Sequence, residues 1–321
     1  MSRFWRIATA CVALALAGYF IYFVAKTVDV GVVKNALSSP LEWIAIFGAA
    51  LLYALIIPVT AWAWRRLLTV QHETWSWPTL AVLLGLTQLA KYIPGNVAQH
   101  ATRAALSLRA GIGTRAFVAT VSQETVLAVA ASLLVGLPLM ALSSPGLGQI
   151  SPQSLGALLV IAAVLAVAVI VLASARLNPK ELLGHSNRLV RLLGHVGGLP
   201  GSATTLMALA AYAFNYLVIG LGLWLVARAT DMPHGMDFAL VTGTFALSWA
   251  LGFLAPGAPA GLGAREGIML LLLRGSAPDE TLLVFVVLAR MVTMLGDAVC
   301  FAVASGWRMR KIGTTEASRE H

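Results

Sequence analysis

Charge is scarce in this sequence. Asp, Glu, Lys and Arg make up 11% of its 321 residues, against about 25% in soluble domains. With 59% hydrophobic residues and a mean hydropathy of +0.84, too little polar material remains to cover a water-soluble fold, and no stretch could form a separate hydrophilic domain. Cysteine is nearly absent. Cys11 and Cys300 both fall in apolar runs, without metal-ligand or paired-loop spacing, and read as small hydrophobes. Also missing are HExxH, GxSxG, a Gly-rich loop ending in Gly-Lys-Ser/Thr, and a CxxC pair, so the local signatures of zinc, serine, nucleotide and thiol chemistry are not there. The chain is therefore read as a non-enzyme without metal or cofactor. His72, His185, His195 and His234 sit in loops as solvated groups. Short-period repeats and low-complexity tracts are lacking as well.

What is present is a succession of apolar runs. About 20 such residues cross a hydrocarbon layer of about 30 Å, and six segments qualify: residues 7–25, 42–64, 116–140, 155–174, 204–227 and 282–307. The first follows Arg3 and Arg6 as a signal peptide would, but it is 19 residues long and ends in Tyr19-Phe20-Ile21-Tyr22-Phe23, which marks a retained span. Trp5, Trp43, Trp64 and Trp307 lie near span ends, where an aromatic belt would form.

Two further apolar stretches are shorter and polar-spotted, 78–93 and 238–254. Each ends in Pro-Gly, at Pro94-Gly95 and Pro256-Gly257, and each is followed by a second short helical pattern, 97–110 and 262–274. Proline lacks the amide donor a helix needs, and glycine supplies the dihedrals of a reversal. Each unit therefore reads as a re-entrant hairpin, placed inside the bundle because broken backbone at membrane depth needs protein or a wet cavity around it.

The net charge of +9 could signal nucleic acid or an anionic lipid surface, and its placement favours lipid. With the N-terminus cytoplasmic and both Pro-Gly units re-entrant, 15 of the 22 Lys and Arg lie inside, four lie outside (Lys26, Lys34, Arg228, Arg274) and three lie within the membrane (Lys91, Arg265, Arg290). That is a strong positive-inside bias. Were 78–93 a full crossing with no return, Arg103, Arg109 and Arg115 would lie outside. The expected fold is an all-α polytopic membrane protein, 1–321 forming one transmembrane domain of six full spans and two opposed hairpins. Residues 42–140 and 204–307 form inverted-topology repeats, a transporter architecture, and 308–321 a cytoplasmic tail. Glu124 lies 29 residues beyond Gly95 and Arg290 lies 33 beyond Gly257, the second half carrying about four extra residues in Ala258-Pro259-Ala260-Gly261.

Lys91, Asn96, Gln99, His100 and Arg103 surround the first break. Asn96 is typed as an N-cap, and the free amides of the helix behind it form an anion site. Gln99, His100 and Arg103 share one helical face. The blander reading has Lys91 and Arg103 reaching for the interface and His100 packing. Around the second break, Gly261 and Gly263 permit tight turns, and Arg265 and Glu266, about 100° apart on a helix, are expected to find separate partners: Arg265 an anionic head group, Glu266 another cation. The alternative there is a salt-bridge network that only fixes the hairpin. Glu124 and Arg290 each lie about nine residues into a span, with Thr293 and Asp297 on the Arg290 face. A bare charge there costs about 2.5–3.5 kcal/mol, so these residues must face a cavity or a partner. Both a structural Glu124–Arg290 bridge and contact with substrate or protons satisfy that requirement. Asn215, Thr242, Thr244 and Ser248 read as interhelical hydrogen-bonding groups.

The runs Leu89-Ala90-Lys91-Tyr92-Ile93-Pro94-Gly95-Asn96-Val97 and Pro256-Gly257…Gly261-Leu262-Gly263-Ala264-Arg265-Glu266-Gly267 resemble the two signature regions of the lysylphosphatidylglycerol synthase transmembrane region, also called the flippase-like family of bacterial and archaeal membrane proteins. The resemblance covers roughly residues 10–310. It implies a protein of the prokaryotic plasma membrane that moves an anionic phospholipid or a polyprenyl-phosphate-linked lipid between leaflets, with cell-envelope biosynthesis enzymes as possible partners. The soluble aminoacyl-transferring domain of the fused members is absent, so lysine transfer to lipid is not expected. Ala258-Pro259-Ala260 departs from the usual Pro-Gly-Gly-Leu-Gly pattern, which alters the shape of that site. Two other function classes fit the same residues: an intramembrane lipid-modifying enzyme with His100 or Glu266 as base, and an accessory subunit of an envelope synthesis complex. Arg103, Glu124, Arg265 and Arg290 are expected to line one polar groove.

Overall fold

The computed structural model describes residues 38–92, 98–143, 200–233, 235–254 and 263–317. Helices make up its regular structure: α1 Pro40–Ala54, α2 Ile56–Val70, α3 Trp77–Leu86, a 3-10 turn Leu89–Tyr92, α4 Ala98–Ala110, α5 Thr114–Ser143, α6 Ser202–Ala229, α7 Phe238–Leu254, α8 Ala264–Leu273 and α9 Asp279–Ala317. Four segments are long and apolar enough to cross a membrane: Pro40–Val70, Thr114–Ser143, Ser202–Ala229 and Asp279–Trp307. They coincide with four of the six expected spans. The other two, 7–25 and 155–174, lie outside the described residues, as do Pro94, Gly95, Asn96, Pro256, Gly257 and Gly261.

The ends of these helices follow local chemistry. At the start of α1, Pro40 occupies a position whose amide would be unpaired in any case, and Glu42 reaches back to accept the Ser39 amide at 2.7 Å. Ser76 caps α3 by accepting the Thr79 amide. The first span is interrupted at Leu55, and the cause sits three residues on. Pro58 cannot donate to the Ala54 carbonyl; the Cys300 thiol of α9 donates to that carbonyl instead, at 3.8 Å. Gly263, with φ of +77°, turns the chain into α8, where a side chain would be strained.

The helices cross closely because small residues meet at the crossings, as membrane bundles require when lipid offers no hydrophobic driving force. A Cβ on Gly243 of α7 would stand 3.0 Å from the Gly136 carbonyl of α5 and 2.9 Å from the Met140 amide. One on Gly85 of α3 would stand 2.9 Å from the Cys300 carbonyl of α9. These two crossings correspond. Under exchange of residues 40–143 with 202–317, the packing of α3 on α9 becomes that of α7 on α5, the packing of α1 on α9 becomes that of α6 on α5, and α1 against α6 maps onto itself.

Of the four long segments, α9 is the most enclosed. The face of α1 bearing Leu41, Ile44, Phe47 and Leu51 is exposed, as is Leu55 just beyond it, an apolar stripe suited to lipid. Trp43 and Trp307 are also exposed, in keeping with belt positions. Trp64 is not. It is fully buried and donates to Thr120 Oγ1 at 2.9 Å, and its ring packs against the Arg103 guanidinium. Asn215 donates to Thr60 Oγ1 at 3.1 Å, joining α6 to α2, and Thr244 bonds the Met140 sulfur at 3.2 Å, joining α7 to α5. Ser248 instead donates within its own helix, to the Thr244 carbonyl. Among the described residues, Thr242 Oγ1 has no hydrogen-bond partner; it is buried and packs against Gly220.

Gly243→Leu forces the α5–α7 crossing apart and is expected to cost about 1–3 kcal/mol, read as a lower midpoint of thermal unfolding in detergent. Gly48→Leu, on a face where a Cβ meets nothing within 4 Å, is expected to stay within about 0.5 kcal/mol of the parent.

Candidate functional site

Burying an ion without a counter-charge in a bundle of this polarity is costly, so the few charges within the spans locate the interior site. A cavity of about 390 Å³ is lined by both halves: Tyr53, Thr60, Gln88, Lys91, Tyr92, Gln99, His100, Arg103, Glu124 and Thr125 from the first, and Trp249, Phe253, Arg265, Arg290, Thr293 and Asp297 from the second, among others. That volume is typical of a small-molecule site. Arg103, Glu124, Arg265 and Arg290 thus meet at one cavity. Glu266 stands behind Arg290, and Asn96 lies outside the described residues.

Three carboxylates are each assigned to one cation on a different helix or turn. Arg103 of α4 holds Glu124 of α5 through two bonds of 2.9 and 2.7 Å, the fork geometry that makes guanidinium–carboxylate pairs strong. The same guanidinium lies over the Trp64 ring at 4.1 Å. Lys91, on the 3-10 turn, meets Asp297 of α9 at 2.6 Å and also donates to Tyr53 Oη at 3.2 Å and Gln88 Oε1 at 3.3 Å. Tyr92 donates its hydroxyl to the other Asp297 oxygen, so both oxygens of that carboxylate are occupied. Glu266 of α8 pairs with Arg290 of α9 at 3.2 Å while its second oxygen accepts the Gly263 amide at 2.8 Å. It serves as ion partner and helix cap at once.

This pairing differs from the Glu124–Arg290 bridge that the sequence left open as a structural alternative. Each of those residues takes its partner from the short helix just before its own long one, Glu124 from α4 and Arg290 from α8. The two bridges occupy matching places in the two halves with the signs exchanged: cation on α4 and carboxylate on α5, carboxylate on α8 and cation on α9.

Arg265 stands apart. Among the described residues it makes no ion pair. Its guanidinium lies 4.5 Å from the Phe245 ring centroid, a cation–π contact, and it lines the cavity. Gly252 makes this possible, since a Cβ there would come within 2.9 Å of Arg265 Cβ and push α8 from α7. Gln99 and His100 reach the same cavity from α4. Sequence reading did not single out Tyr53, Gln88, Tyr92 or Trp249. The available signal was polar atoms in the middle of apolar runs: Tyr53 lies eleven residues into the span expected at 42–64, where an unpartnered hydroxyl is costly.

A multi-pass helical membrane protein with paired charges around an internal cavity is the class these features define. The model of the lysylphosphatidylglycerol synthase TM region matches residues 10–299, and the chain belongs to that family, which ties it to membrane lipid. No curated protein matches it.

Removing one partner of the Arg103–Glu124 bridge leaves the other buried and unpaired, so Arg103→Gln and Glu124→Gln are each expected to cost about 3–5 kcal/mol. The double exchange Arg103→Glu with Glu124→Arg should recover part of that loss. A double-mutant cycle on thermal unfolding that finds no coupling energy would contradict the bridge.

Proposed function

We propose that this protein moves an anionic phospholipid, or a polyprenyl-phosphate-linked lipid, between the leaflets of a prokaryotic plasma membrane, holding the head group in the internal cavity while the acyl chains stay in lipid. The observation that carries this reading is Arg265, a cation at the cavity wall that has an aromatic ring but, among the described residues, no carboxylate paired with it. Around it stand Lys91, Arg103 and Arg290, whose carboxylate partners occupy the places that phosphate oxygens would take. Charged groups retained inside spans are the usual mark of a substrate path.

The same reading includes inverted repeats. Residues 77–110 and 238–273 are then hairpins entering from opposite leaflets, with both chain termini cytoplasmic. Support comes from the exchange of packing partners between halves and from the sign-exchanged bridges. A pseudo-twofold axis in the membrane plane is how such repeats give two leaflets equivalent access to one site. Catalysis is not part of the proposal.

The test is reconstitution in vesicles with fluorescent phosphatidylglycerol and a membrane-impermeant quencher. Purified protein is expected to expose inner-leaflet probe without altering it, and Arg265→Gln to slow the transfer at least about tenfold, the equivalent of about 1.4 kcal/mol. A chemically new lipid species would overturn transport in favour of an enzyme. Transfer no faster than in protein-free vesicles would overturn it outright.

A further inference from the structure

The charges around the cavity can be counted pair by pair. Lys91, Arg103 and Arg290 each face one carboxylate, from Asp297, Glu124 and Glu266 in turn. Arg265 remains, so among the described residues the cluster carries a single excess positive charge. The two stretches of chain at the hairpin breaks, 93–97 and 255–262, contain no ionisable residue and leave that count unchanged. Inside a low-dielectric bundle an ion is tolerated only when matched, and a ligand carrying one negative charge brings the cluster to neutrality. A head group with two or more leaves an uncompensated anion, and a zwitterionic or cationic one leaves Arg265 as it was.

From this we infer that the site is matched to one negative charge: it takes monoanionic phosphodiester lipids, with Arg265 as the selecting residue, and each transfer moves one net charge across the membrane. The inference rests on the transport reading above and adds what that reading leaves open, the charge class of the substrate and the driving force. Because the loaded cluster is neutral and the empty one carries the charge, membrane potential drives transfer without any co-transported ion. An interior-negative potential pushes the lipid to the outer leaflet.

The experiment uses the full chain in potassium-loaded vesicles diluted into sodium buffer, with valinomycin setting the potential and fluorescent phosphatidylglycerol as probe. It is run at pH 8, where an ordinary histidine is neutral. The expected result is an outer-to-inner ratio of probe that changes about tenfold for each 59 mV, the value for one charge. Unlabelled phosphatidylglycerol competes. Phosphatidylcholine and phosphatidylinositol 4-phosphate compete at least about tenfold less well. A parallel arm with the deacylated head group, glycerophosphoglycerol, tests whether a soluble anion is carried instead; its uptake at the rate of the lipid would overturn the lipid assignment.

Glu266→Gln removes one negative charge while leaving an amide oxygen for the Gly263 amide. The cluster then carries two excess charges, and phosphatidylinositol 4-phosphate is expected to gain at least about tenfold in competition relative to phosphatidylglycerol. An unchanged preference in a folded variant would overturn the charge match. If that variant does not fold, the potential response of the parent protein decides. Transfer that ends at equal leaflet distribution at every potential leaves the transport reading standing and overturns this one, whereas no transfer at all removes both.

Discussion

The cost of an unmatched ion in an apolar interior governs this structure. Helices of this hydropathy would pack in many registers, since apolar faces are indifferent to sliding. The Arg103–Glu124 fork, the Lys91–Asp297 contact and the Glu266–Arg290 pair each join elements that the apolar surface alone does not hold in register. Asp297 shows the constraint most sharply. Its side chain is wholly shut from solvent, while that of Lys91 keeps 19% exposure toward the cavity. Both carboxylate oxygens must therefore be satisfied by protein, and the 3-10 turn that presents Lys91 and Tyr92 is where the chain meets that demand.

Close approach is the second requirement, and it explains the glycines at the crossings. A short-range ion pair between helices needs backbones near enough for the side chains to meet without long unpacked stems. Gly252 against Arg265 and Gly296 against the Ala50 carbonyl bring α8 and α1 to the cavity wall. Packing and charge are thus one design: small residues set the spacing that lets each cation find its anion.

Much of the fold was legible in the amino-acid pattern because hydropathy and length act over 20 residues at a time. Spans expected at 42–64, 116–140, 204–227 and 282–307 correspond to helical segments that run a few residues beyond those limits at one or both ends. The interruption at Leu55 also had a local sign, Pro58. The pairing of charges was not legible. A one-dimensional reading places Glu124 and Arg290 at like depth and offers them to each other, whereas the partners come from α4 and α8, whose orientation is set by turns the sequence does not specify. Trp64 misled for the same reason. Its position near a span end resembles that of a belt residue, yet the face it occupies points at Arg103. Gly263 and Glu266 were recognisable as a turn and a costly charge, but the use of one carboxylate for both cap and bridge required the folded geometry.

The two halves match in their packing but not in their locks. Where the 3-10 turn presents Lys91 to Asp297, the corresponding place three residues before the second Pro-Gly holds Phe253, and the position on α5 that corresponds to Asp297 is Ala131. The seam where the 3-10 turn meets α9 therefore carries an ion pair, whereas α7 and α5 are joined through the neutral contact of Thr244 with the Met140 sulfur. Halves that pack alike yet are fastened differently give the bundle a built-in sense of direction, because the charge that fixes one seam has no counterpart among the described residues at the other.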